Sequence, residues 1–366
     1  MNHDPAGPAE QAAERAGAWA TARTGVYLRH AACLEHDPRL LSPGHPDTPE
    51  RLLALERALG ERDWLGWTRV EPDAASAEDL ELVHTRRHVD AIATLCRQGG
   101  GAIDPDTYVG EASFDAALHA AGCAIEMVRL LLAGEADTCF CGVRPAGHHA
   151  EPARAMGFCL FDNVAVAAAA AISRLGATRV LILDWDVHAG NGTAEIFRHR
   201  ADVLFACIHE HGLFPGTGRL QDAGSGSGEG YTINLPVPPG SGEPLWLALL
   251  DEIVLPVART YAPDLILVSA GFDAHERDPL AHCLLETDSF AQMAARVGAL
   301  ARLLRVPVGI VLEGGYNVGV LAECVCVTLP ALADGPPPRA AGGVPAAHEL
   351  RLLQLAREQV GRYWRL

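Results

Sequence analysis

The sequence predicts a single large α/β domain, a central and mostly parallel sheet flanked by helices on both faces, and three observations carry that expectation. Short apolar runs of buried-strand type alternate with Ala- and Leu-rich helical stretches from Val26 onward. The 366 residues are 49% apolar, enough to bury a sizeable core. Polar residues of chemical interest stand repeatedly where an apolar run ends, and open parallel sheets place their sites at the carboxyl ends of strands.

Taken in order, residues 1–22 are rich in Ala, Pro, Glu and Gly without a strand pattern and read as a loose tail outside the fold. The domain is expected over 23–333. Strands are expected at 138–143, 179–183, 203–208, 264–269 and 306–312, with a further one at 231–237 after a Gly/Ser-rich loop. Helical periodicity covers 113–133, 163–175, 245–261 and 289–304. A Pro/Gly linker follows at 334–345. Beyond it Leu350, Leu353, Leu355 and Val360 recur at roughly helical spacing, which predicts a terminal helix docking back on the domain.

Lys and Arg number 29 against 46 Asp and Glu, a formal charge of −17 with no basic cluster, so nucleic acid is excluded as an expected partner. The 10 cysteines are scattered, several inside apolar runs (Cys139, Cys141, Cys207, Cys324, Cys326), and read as reduced, buried thiols. The start lacks a signal-peptide pattern, and the apolar stretch from Val164 to Ile172 is too short to span a bilayer. A cytoplasmic protein with no membrane partner is therefore expected.

Four apolar runs deliver chemistry. TCFCGV leads into Arg144-Pro145-Ala146-Gly147-His148-His149, and RVLIL into Asp184-Trp185-Asp186-Val187-His188. DLILVSAG delivers Phe272-Asp273, and VGIVL delivers Glu313-Gly314-Gly315-Tyr316. In Asp184-x-Asp186-x-His188 an extended chain would point alternate side chains to one side. Two of these groups plus a further carboxylate would give a metal three protein ligands and an open position for water. Zinc suits amide hydrolysis at neutral pH, with iron or cobalt as alternatives. Alone, the triplet reads sooner as caps and turn residues; its coincidence with three other strand ends reverses that and favours a site.

These segments carry a resemblance. RPAGHHA, GFCLFDNVAVAA from Gly157, DWDVHAGNGT from Asp184, SAGFDAHERDPL from Ser269 and EGGYN from Glu313 resemble the successive motifs of the histone deacetylase family. HPDTPERL from His45 and IDPDTYVG from Ile103 fit its amino-terminal motifs, and Asn191 with EGGY points to class II and the bacterial deacetylase-like amidohydrolases. The resemblance implies an arginase/deacetylase fold and a zinc-dependent hydrolase with Asp186, His188 and Asp273 as metal ligands. It makes His149 the general base, oriented by Asn191, with His148 backed by Asp184 as an electrostatic aid and Tyr316 as oxyanion donor. Phe158, Phe214, Gly157, Gly314 and Leu280 would belong to the substrate tunnel. A structural potassium ion would use main-chain oxygens of Asp184, Asp186, His188 and Ile208, with Cys207 standing where relatives carry Ser.

Two departures from the family pattern stand out: Ala189 where relatives carry His, and Ala146 where they carry Pro. The implied substrate is an acylated lysine in a protein or peptide. An acetylpolyamine and a weakly active acyl-amine-binding scaffold are the alternatives, and the oligomeric state is left open, a homodimer or tetramer among the options. Leu280 bears on the choice. Polyamine-preferring relatives carry Glu there to pair with a distant ammonium, and an apolar side chain leaves that charge without a partner.

Overall fold

The computed structural model describes residues 25–335 and 338–366, so the tail expected over 1–22 lies outside the described residues. Among these residues the strands are β1 (Gly25–Leu28), β2 (Thr68–Val70), β3 (Gly101–Ala102), β4 (Tyr108–Val109), β5 (Thr138–Cys141), β6 (Val180–Asp184), β7 (Val203–Glu210), β8 (Thr232–Val237), β9 (Leu265–Ala270) and β10 (Val308–Leu312). β3 and β4 make a small antiparallel pair, and the other strands form one 8-stranded sheet in the order β2-β1-β5-β10-β9-β6-β7-β8. Every pairing in that sheet is parallel. Strands buried on both faces explain the near-continuous apolar runs of the sequence.

The four strands that end in polar motifs, β5, β10, β9 and β6, are neighbours in the middle of this sheet. Their ends are level, since Val311 pairs with Cys141, Leu312 with Ala270, and Asp184 with Ser269. Four short loops therefore leave the sheet side by side.

Helices flank the sheet as expected. Ser113–Ala133 packs against Asn163–Arg174 on one side, and Thr287–Leu304 against Val318–Asp334, which also meets Glu50–Gly60. Asp162 caps Asn163–Arg174 by accepting the Ala165 N–H at 2.9 Å. The expected helix at 245–261 begins earlier, at Glu243, and carries a π-helical turn over Leu250–Val254. Ser113–Ala133 is long and apolar enough to cross a membrane by length and composition, yet most of it is buried inside the domain, as a core helix must be.

The terminal helix runs over Ala347–Val360. Its inward stripe is Leu353, Ala356 and Val360, whereas Leu350 and Leu355 face solvent, so the apolar spacing of the sequence mixes the two faces. Beyond it, Trp364 donates its indole N–H to the Gly230 carbonyl at 2.7 Å and packs edge-on against Tyr231. All of the cysteines are free and buried.

Candidate active site

The carboxylates of Asp186 and Asp273 and the imidazole of His188 offer ligand atoms that all lie within 4.8 Å of one another, and all three residues are buried. Extended alternation is not what gathers them. Beyond β6 the chain curls, because Asp184 Oδ1 accepts the Asp186 N–H at 3.0 Å and Asp186 Oδ1 accepts the His188 N–H at 2.8 Å. Asp side chains bonding the backbone two residues on are the device that turns such a segment. Asp273 arrives from the end of β9 and is fixed by the Val187 N–H, 3.0 Å from its Oδ1.

Those bonds leave a donor set pointed at one place. His188 Nδ1 lies 3.0 Å from Asp186 Oδ1 and 3.2 Å from Asp273 Oδ2. Asp273 Oδ2 is fully buried and, apart from this approach of the His188 ring, has no hydrogen-bond partner. A buried carboxylate oxygen left unpaired costs free energy unless a cation meets it. Two hard oxygens and one imidazole nitrogen suit a borderline divalent ion such as zinc, so these residues fit the metal that the motifs imply.

Beside this cluster stand two adjacent imidazoles, His148 and His149, with ring centroids 4.0 Å apart. His148 Nδ1 meets Asp184 Oδ2 at 3.0 Å, and His149 Nδ1 meets Asn191 Oδ1 at 2.8 Å. Burial opposes a charge on His148, but Asp186 and Asp184 outweigh it and hold its pKa well above the usual value. Burial, with His148 and His188 nearby, pushes His149 well below. Two neighbouring groups driven apart in this way are suited to different roles, and the neutral one can take a proton.

One phenyl ring meets this pair and another meets Tyr316. Phe214 packs edge-on against His149 at 5.0 Å, and Phe158 against Tyr316 at 5.7 Å. Gly157, at φ +57°, lies between the first two rings, so a β-carbon there would come 2.5 Å from the His149 ring and 2.7 Å from Phe214. Phe158 itself holds a positive φ of 67°, its N–H bonded to Thr107 Oγ1 at 3.1 Å. Tyr316 is placed by Asp278 Oδ2, which accepts its N–H at 2.6 Å. Asp278 also accepts the Leu280 N–H at 3.0 Å and is buried, so its carboxylate is turned inward. Leu280 is partly exposed.

Gly314 sits against the Asp-His-Asp cluster, donating its N–H to Asp186 Oδ2 at 2.8 Å. Of the residues matched to a potassium site, Asp184 and Cys207 are register partners on β6 and β7, and Ile208 follows on β7. Cys207 Sγ lies 3.3 Å from His209 Nδ1, so a soft sulfur already engaged stands where a hard oxygen would be needed.

Supporting residues that carry no assigned role in the sequence reading complete the site. Glu313 Oε2 accepts the N–H groups of Gly147 and His148 at 2.7 and 3.2 Å, tying β10 to the histidine loop. Asp47, Arg51 and Arg144 are fully buried together, with Asp47 accepting from Arg51 at 2.8 Å and from Arg144 at 2.6 Å. Arg51 goes on to donate to the carbonyls of Glu313 and Gly315 and lies 4.8 Å from the Tyr316 ring centre. The Asp-x3-Arg spacing within HPDTPERL was the available signal.

Residues 45–332 match the family described as "Histone deacetylase domain". A "Probable deacetylase" of Archaeoglobus fulgidus is 40% identical over 304 residues, 81% of this chain and 82% of that protein. A "Histone deacetylase-like amidohydrolase" of Pseudomonas aeruginosa is 41% identical over 286 residues, 77% of this chain and 75% of that protein. The solved structure titled "Crystal Structure of HDA15 HD domain" superposes with a TM-score of 0.87 at 32% identity, covering 93% of this chain and 95% of that one. With a family match over most of its length, relatives near 40% identity and the same arrangement of strands, the chain belongs to the histone deacetylase family and is a hydrolase of the deacetylase type.

Proposed function

We propose that this chain hydrolyses the amide of acylated lysine in proteins or peptides and that Asp186, His188 and Asp273 hold a zinc ion for the reaction. The observation that carries the reading is the buried Asp-His-Asp cluster, whose Asp273 Oδ2 meets nothing but the His188 ring, standing beside two histidines of opposed proton affinity. An ion held there supplies Lewis acidity toward a carbonyl and lowers the pKa of water. His149, kept neutral by burial and by the charge of the adjacent His148, accepts the proton of the attacking water and returns one to the departing amine. His148 stays charged against Asp184 and Asp186 and favours the negative charge that develops nearby. Tyr316 donates its hydroxyl to the developing oxyanion, its ring held by Phe158 and Arg51.

Leu280 favours a peptide over a polyamine. The inward-turned Asp278 gives a second ammonium no carboxylate at that position. The test compares kcat/KM on a fluorogenic acetyl-lysine peptide and on acetylspermidine, with and without a zinc chelator. Chelator-sensitive hydrolysis that favours the peptide is expected, together with a shift toward the polyamine in Leu280→Glu. No hydrolysis of either substrate by the zinc-loaded protein would overturn the enzyme reading, and a preference for acetylspermidine would overturn the choice of substrate.

A further inference from the structure

Asn191 has two ends, and only one orientation of its amide supports a base at His149. With Oδ1 toward His149 Nδ1, the imidazole carries its proton on Nδ1 and leaves Nε2 with a free lone pair. Flipped, the amide would offer Nδ2 to the same nitrogen and force the other tautomer. What selects the orientation is the surroundings of Nδ2. Glu151 Oε1 accepts from it at 2.9 Å, the His149 carbonyl lies at 3.3 Å and Met156 Sδ at 3.4 Å. All three can only accept, and the carboxylate makes the shortest contact, a charge-assisted one.

Glu151 is itself held in place. Its N–H donates to the Arg154 carbonyl at 2.9 Å, and its own carbonyl accepts from His84 Nδ1 at 3.1 Å. His84 Nε2 takes the Asp162 N–H at 2.9 Å, which leaves the ring proton on Nδ1 for Glu151. Asp162 in turn accepts the Thr193 hydroxyl at 2.7 Å, and Thr193 lies in the same short helix as Asn191. The loop that carries Glu151 and the helix that carries Asn191 are thus referenced to one buried aspartate. The geometry points to Glu151 as a positioning residue, one that fixes the Asn191 amide and through it the proton-accepting tautomer of His149.

This inference rests on the proposed reaction, so wild-type turnover of the acetyl-lysine peptide is measured first; without it the reaction fails, not the positioning role. Given that turnover, Glu151→Ala in the zinc-loaded full chain should lower kcat by roughly tenfold with KM within about twofold and metal content unchanged, the pattern of a lost transition-state contribution. Glu151→Gln, which keeps an acceptor oxygen, should recover most of the loss. A second pair reads the contact directly. Asn191→Asp puts a carboxylate against Glu151 and should depress kcat, and adding Glu151→Gln should restore part of it by supplying a donor. An unchanged kcat in Glu151→Ala, a loss confined to KM, or an Asn191→Asp enzyme that Glu151→Gln does not improve overturns the proposal. Should Glu151→Ala fail to fold, the Asn191→Asp pair decides alone.

Discussion

Gly314→Ala tests the metal reading without removing any ligand. A β-carbon at this position would lie 1.9 Å from Asp273 Oδ2 and 2.5 Å from Asp186 Oδ2. Ordinary contact needs about 3.5 Å, so the Asp273 carboxylate must retreat by roughly 1.5 Å or the loop must move. Either movement exceeds the ~0.2 Å within which metal–ligand distances are held. If the loop moves instead, Asp186 loses the Gly314 N–H that fixes its Oδ2. Disturbing one such support typically costs 10- to 100-fold in metal affinity, and two carboxylates are hit here, so a fall of about 100-fold or more is expected. The assay is competition for zinc against a chromophoric chelator. Gly319→Ala is the control, since the nearest atom to its β-carbon would be Asn317 Oδ1 at 3.9 Å and its affinity should not change. Undiminished zinc affinity in Gly314→Ala would refute the assignment of Asp186 and Asp273 as ligands. An equal loss in Gly319→Ala would show a general disturbance of the loop.

Tyr316→Phe should cost about two to three orders of magnitude in kcat with metal content unchanged, and an unimpaired enzyme would mean another oxyanion donor. Burial raises the Asp47 pKa, but the guanidinium groups of Arg144 and Arg51 outweigh it and hold the folded value far below the usual carboxylate range. With the folded value below the unfolded one, about 3.9, this stabilisation is complete above roughly pH 4 and is lost as pH falls further. Urea unfolding should show that decline between about pH 4 and 2, flattened in Asp47→Asn, which by unpairing two buried arginines should itself cost about 3 to 5 kcal/mol at neutral pH. Ala189→His should be tolerated, because Ala189 lines a cavity of about 280 Å³ with Gly190, Asn191 and Gly218; a fall in Tm of several degrees or loss of metal would show that the packing has closed around alanine.

Much of this was legible because the fold repeats one arrangement. Parallel strands buried on both faces appear as apolar runs, and 138–143, 179–183, 264–269 and 306–312 each overlap a strand of the central sheet. The helix at 113–133 falls on Ser113–Ala133, ended by Gly134 at φ +72°. Asp186, His188, Asp273, His148, His149 and Tyr316 meet at that sheet edge because their strands are neighbours there. Sequence reading identified which strands bear the polar residues; it could not give their order across the sheet. The supports were harder to see. Asp47 lies 97 positions from Arg144, and Arg51 lies 264 from Gly315, so nothing local in the sequence joins them. Val318–Asp334 is hard to see in the sequence for a different reason: it starts directly after the motif loop, with Asn317 as its cap, and is apolar along most of its length, so no periodic stripe marks it. At 184–188 the chain turns where alternation assumes an extended strand, because aspartates bonding their own backbone override it.

The same side chains that would bind the ion also build the loops that present them. Asp186 spends one oxygen on the His188 N–H and the other on the Gly314 N–H, and Asp273 spends one on the Val187 N–H. Main-chain donors from the loops after β6 and β10 thereby fix carboxylates from the loops after β6 and β9. Both carboxylates are thus oriented by the fold itself, so binding of an ion there would meet little reorganisation, the condition under which electrostatic catalysis is most effective. The arrangement also explains why glycine recurs at this edge. At Gly271 a β-carbon would come 2.1 Å from Asp186 Oδ2, and at Gly190 it would come 2.3 Å from Asp184 Oδ2. Carboxylates packed this closely against backbone leave no room for side chains, and of the Asp186 and Asp273 oxygens the one that no main-chain N–H holds, Asp273 Oδ2, is turned toward His188.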